Sequence, residues 1–92
     1  MASESADEVK ASVGRRISEL REARSWTQEA FAERAECSVK YVQSVERGDE
    51  NLTIVTLTKF AWLLRVRVAD LFAAPASRGP KKPGRPRSRR AS

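Results

Sequence analysis

The sequence predicts an all-α fold: a compact domain of five helices followed by a disordered basic tail. Three observations predict it. Apolar residues recur at helical spacing from Val13 to Leu64. Three segments open on the same local device, a hydroxyl residue flanked by an apolar pair that can staple a helix start. The composition then changes at Pro75, beyond which "PASRGPKKPGRPRSRRAS" has no periodicity. The chain has 92 residues, so one small domain is the most it can build. Three segments are expected: a flexible acidic leader at 1–9, a folded domain at 10–74 and the tail at 75–92.

The leader reading rests on "MASESADE", which is small, polar and acidic. In "KASVGRRISELREARS", Val13, Ile17 and Leu20 are spaced i, i+4, i+7 and give a first helix, with Gly14 a weak point in its early part. With Thr27, Ser38 and Thr53 as N-caps, the stapling pairs are Trp26 with Phe31, Cys37 with Val42, and Leu52 with Leu57. The second helix then runs from Gln28 to about Ala35 and the third from Val39 to about Arg47, stopped by Gly48. "GDEN" is a turn, and a fourth helix follows from Ile54 to about Leu64. "VRVADLF" can form a short fifth helix, although Arg67 is a poor cap for it.

Charge is unevenly placed. Residues 1–74 carry 11 Lys+Arg and 12 Asp+Glu, whereas residues 75–92 carry 7 Lys+Arg and no acid. A basic block of this kind usually meets a polyanion; the alternative is a solubilising tail. With no histidine and one cysteine, the chain lacks the usual general base, the commonest metal ligand and an internal disulfide. Cys37 has no histidine to activate it and suits a small buried position. No Gly-rich phosphate loop occurs, so neither an enzyme nor a cofactor is expected. No run is apolar enough for a membrane helix or signal peptide, and a cytoplasmic location is expected.

About three residues, "ECS", separate the second and third helices. That length suits a helix–turn–helix, whose second helix can enter the DNA major groove; an ordinary helical hairpin is permitted by the same spacing. On the third helix, Lys40, Gln43, Ser44 and Arg47 form one polar face, with Val42 and Val45 opposite and Val39 and Tyr41 near the boundary.

"TQEAFAERAECSVKYVQSVERGDENLTIVTLTKFAWLL" resembles the helix–turn–helix family of phage Cro and cI repressors, the XRE family. The resemblance runs from about Arg15 to Phe72, with "TQ", "S-V-x-x-V", "ERG" and "T-L-x-K-x-A" in register. The ending "Y-[IV]-x-x-[IV]-E-R-G" and the following "N-x-[ST]-[IL]" are similar to the controller proteins of restriction–modification systems. The resemblance implies a lambda-repressor-like domain that binds double-stranded DNA as a homodimer, represses or activates transcription, and can touch RNA polymerase. It assigns Ser38, Val39, Lys40, Gln43 and Ser44 to base edges and nearby phosphates in the major groove. Gln28, Arg47, Asn51 and Thr53 match phosphate-contacting positions, and Arg21 and Glu46 match a structural ion pair. Two positions depart from the family. Glu36 stands where many relatives have a glycine suited to positive φ, so a different turn or a strained residue is expected. Val39 replaces a polar reader and can only pack, for instance on a thymine methyl.

Two-fold dimers on half-sites about 10 bp apart are the usual arrangement for such domains. The expected interface is the apolar stripe Val55, Trp62, Val66, Val68 and Phe72; alternatively Trp62 covers its own core. In the tail, "KKPGRPRSRR" resembles an AT-hook, with Gly84, Arg85, Pro86 and Arg87 at the matching centre. Pro83 stands where that family usually has arginine. Lys81, Lys82, Arg89 and Arg90 add charge for phosphates, the other role open to this segment. A sequence-specific transcriptional regulator is the leading expectation. An antitoxin-like or adaptor module and a non-specific architectural DNA-binding protein are the alternatives. No small-molecule ligand is expected.

Overall fold

A computed structural model describes residues 4–76. Helix α1 spans Ala6–Ala23, α2 Gln28–Ala35, α3 Val39–Arg47 and α4 Ile54–Leu64. A single 3-10 turn, Val68–Phe72, follows. Every described regular element is helical, as expected, but the fifth is a 3-10 turn and not an α-helix. Its five residues are too few for a stable run of i→i+4 bonds. Arg67 offers no cap; Asp70 instead reaches back to accept from the Arg67 N–H at 2.9 Å. Arg16 Nε donates to the Asp70 carbonyl at 3.0 Å and ties the turn to α1.

The start of α1 corrects the expected leader. Residues 6–9 are helical, because Ser5 and Glu8 form a reciprocal capping box at 2.9 and 3.1 Å. Val9 already packs against the core. The other starts fall at the expected caps: Thr27 accepts from Ala30 N–H, Ser38 from Tyr41 and Thr53 from Thr56, at 3.0–3.1 Å. Trp26 and Phe31 stack with ring centroids 6.2 Å apart, and Cys37 and Leu52 pack on the core beside their own helix starts.

The core joins Val13 and Ile17 of α1, Phe31 and Ala35 of α2, Val42 and Val45 of α3, and Leu57, Phe60 and Leu64 of α4. Leu71 closes it. Phe31 and Phe60 meet edge to face at 5.1 Å, an arrangement worth about 0.5–1.5 kcal/mol beyond the area it buries. Gly14 is essential to this packing. A β-carbon there would lie 2.3 Å from the Val45 carbonyl oxygen and 2.9 Å from that of Glu46, so its absence lets α1 and α3 touch backbone to backbone. Gly48 has two reasons to be glycine: its φ of 84° and a gap of 2.7 Å between a β-carbon and Ala11 Cα.

Candidate nucleic-acid interface

The α2–α3 connection is short because α2 ends in a left-handed residue. Glu36 takes φ 58° and ψ 45°, and the Cys37 N–H returns to the Ala32 carbonyl at 3.0 Å. The strained residue expected there is present, in the conformation that glycine would adopt without steric cost. Ser38 then caps α3 directly.

A nine-residue helix such as α3 needs external support. It receives apolar support from Val42 and Val45 and polar support from Glu46. Arg21 Nε donates to Glu46 Oε2 at 2.7 Å, and a second guanidinium nitrogen donates to Oε1 at 3.1 Å. A third donates to the Trp26 carbonyl at 2.7 Å, so one side chain holds α1, the α1–α2 turn and α3 together. Arg21 is 7% exposed, and the hydrogen bond to Glu46 holds its guanidinium above the ordinary value despite burial. The structural role expected for the Arg21–Glu46 pair matches this geometry.

Glu46 also engages Gln28, whose Nε2 donates to Glu46 Oε1 at 2.9 Å. Gln43 Nε2 faces Gln28 Oε1 at 3.4 Å. These bonds set the first residue of α2 beside the middle of α3. On the other flank, Tyr41 in the first turn of α3 meets Thr56 in the first turn of α4. The starts of α2 and α4 thus bracket α3. Each cap satisfies one N–H of its first turn and leaves others open to an external acceptor, with the positive end of the helix dipole behind them.

Lys40, Gln43 and Arg47 project outward from α3; Ser38 at its start, Asn51 in the loop that follows it and Thr53 at the start of α4 are exposed as well. Ser44 is half-buried and accepts from Arg47 at 3.3 Å. Arg47 Nε also donates to Asp49 at 3.0 Å, an exposed pair of little energetic weight. Val39 departs from the group: it packs on the core, so only part of it faces outward.

The expected interface stripe divides. Val55 and Trp62 are 78% and 77% exposed, and Ile54, which the expected stripe leaves out, is 73% exposed. These three line one groove with Thr58 and Lys59. Val66 and Val68 are half-buried and pack on the protein's own core. Phe72, 50% exposed, lies beside Val9, Lys10 and Leu52, around a different groove. Trp62 does not cover its own core. Lys81, Lys82, Gly84, Arg85, Pro86, Arg87, Arg89 and Arg90 lie outside the described residues.

Two short helices joined by a capped turn, with the second held outward by a buried ion pair, define a helix–turn–helix protein. The chain belongs to the HTH_3 helix–turn–helix family, whose model matches residues 17–71. This is a family of DNA-binding regulators, not of enzymes. Within it the chain is similar to the restriction–modification controller protein C.AhdI from Aeromonas hydrophila. The two share 38% identity over 74% of this chain and 100% of that one, with a TM-score of 0.64. SinR, the master regulator for biofilm formation, solved in complex with DNA, is 32% identical, covering 64% of this chain and 95% of that one at a TM-score of 0.60. An HTH_3 family transcriptional regulator from Vibrio cholerae is 28% identical over 75% of this chain and 39% of that one, with a TM-score of 0.69. No curated protein matched the chain. Among the described residues, no helix is long and apolar enough to cross a membrane.

Proposed function

We propose that the protein is a sequence-specific transcriptional regulator that binds palindromic operator DNA as a homodimer, with α3 in the major groove. The observation that carries this reading is the outward face of α3, where Lys40, Gln43 and Arg47 are exposed on a helix locked from behind by Arg21 and Glu46. Lys40 suits guanine O6 or N7, and Ser38 and Ser44 suit base edges or nearby phosphates. Gln28 with its backbone N–H, Arg47, Asn51 and Thr53 supply the phosphate contacts that set register. Val39 contributes at most a methyl edge.

Dimerisation is assigned to the exposed α4 surface of Ile54, Val55 and Trp62, since a contiguous apolar patch on a small domain marks an interaction site. The tail adds phosphate or minor-groove contacts through its seven basic residues. RNA polymerase is a further partner that the similarity to transcriptional regulators suggests. Selection of bound sequences from a random DNA pool tests the reading. A recovered palindrome supports it; recovery of A·T-rich DNA without a palindrome replaces it with non-specific architectural binding.

A further inference from the structure

Glu46, Gln28 and Gln43 form a chain of side chains in which each fixes the next. The Glu46 carboxylate is paired with Arg21 and can only accept hydrogen bonds. The end of the Gln28 amide that meets it at 2.9 Å is therefore the NH2 group. That leaves the Gln28 carbonyl oxygen pointing away, and an oxygen can only accept, so Gln43 presents its own NH2 group there, at 3.4 Å. Val39, the first residue of α3, has no polar side-chain atom with which to draw Gln28 elsewhere. The orientation of Gln43 follows from the charge of a buried ion pair three residues along the same helix. One N–H of Gln43 is spent on Gln28, and its carbonyl oxygen is left at the exposed surface.

We infer that Glu46 is a positioning residue for base recognition: through Gln28 it turns Gln43 so that its carbonyl oxygen leads into the groove. Gln43 then reads a base carrying an exocyclic amine in the major groove, adenine N6 or cytosine N4. Guanine O6 and thymine O4, acceptors in the place of that amine, meet the leading oxygen unfavourably, while the second N–H of Gln43 stays free for an acceptor beside it such as adenine N7. A Gln43 amide without this chain could turn either way and would accept donors and acceptors alike. The inference rests on the proposed placement of α3 in the major groove.

The test uses the full chain as wild type, Gln43→Ala and Gln28→Met, the last removing the amide while keeping side-chain length and helix propensity. Circular dichroism melts establish that each variant folds. Sequences are selected from a random pool, and the position flattened by Gln43→Ala is identified. The selected base there is then replaced by its analogue lacking the exocyclic amine, purine for adenine or 2-pyrimidinone for cytosine. The wild type should lose about fivefold or more in affinity for the analogue, the scale of one hydrogen bond, and Gln28→Met less than about twofold. No loss for the wild type, or an equal loss for Gln28→Met, overturns the inference. So does a Gln28→Met protein that weakens binding to all sequences uniformly, since Gln28 would then be a phosphate contact only. A wild type that enriches no sequence at all sinks the regulator reading itself, a separate result from any of these.

Discussion

The α-carbon of Gly14 lies so close to the Val45 carbonyl oxygen that a β-carbon there would come within 2.3 Å of it. Helix propensity alone favours alanine at this position by about 1 kcal/mol, but the obstructing atoms are backbone and cannot rotate aside. Gly14→Ala must therefore push α1 away from α3 or bend one of them. A net loss of about 1–3 kcal/mol is expected, the scale of overpacking a core. Thermal melts should show a midpoint lower by roughly 5 °C or more. A higher midpoint would show that the helices separate freely.

Glu36 presents the opposite case. Its φ of 58° sits in the left-handed region, which glycine enters without steric cost. Relief of about 1–2 kcal/mol of backbone strain outweighs the added freedom of glycine in the unfolded chain, about 0.4–1 kcal/mol. Glu36→Gly should raise stability by roughly 0.5–1 kcal/mol. Denaturant titration checks this, and a lower midpoint would mean that Glu36 makes a compensating interaction.

Burial pushes the Cys37 thiol above its ordinary value of 9.0 and the Tyr41 hydroxyl above 10.0. Both groups are neutral when protonated, so above pH 9 the unfolded chain releases protons that the folded chain retains. Their contribution to stability is complete below pH 9 and is lost as pH rises through the folded values. Unfolding free energy should fall with pH in that window, and less steeply in Cys37→Ala than in wild type. Identical slopes would remove Cys37 as a cause.

Trp62 is 77% exposed, so Trp62→Arg should leave the monomer's stability within about 0.5 kcal/mol. Sedimentation should nevertheless show a weakened dimer. An undiminished dimer would take Trp62 out of the interface and direct attention to the groove beside Phe72.

The tail leaves the described domain just after Ala76, whose N–H donates to the Glu19 side chain at 3.1 Å. Deleting residues 77–92 removes 7 basic residues. The dependence of binding on salt should flatten by up to about 0.9 log unit for every phosphate the tail had neutralised, with operator preference kept. Loss of preference would make the tail a reader of sequence.

Helices α2, α3 and α4 are legible in the sequence to the residue because their limits are local. A hydroxyl cap and a stapling pair act within a few positions of each start, a glycine stop ends α3, and the buried faces follow from a 3.6-residue period. The Arg21–Glu46 pair is reached through family resemblance and not through spacing, since the two residues lie on different helices. Where the local signal is polar and weakly periodic, sequence misleads: the Ser5–Glu8 box reads as leader, yet it starts a helix.

By itself the sequence determined the helical class, the limits of three helices, the polar side of α3 and the charge of the tail, all properties of residues near in the chain. Only the tertiary structure decided which residues meet across it. Gly14 is a contact surface and not a weak point, because α3 passes directly over it. Val39 and Val66 pack inward, whereas Ile54 faces out. Gln28 is oriented by the Glu46 carboxylate, far along the chain, through a hydrogen bond that forms only once α2 and α3 are folded together. Periodicity tells which side of a helix is apolar; the neighbour on that side, and the direction of each amide facing it, depend on distances that exist only after packing.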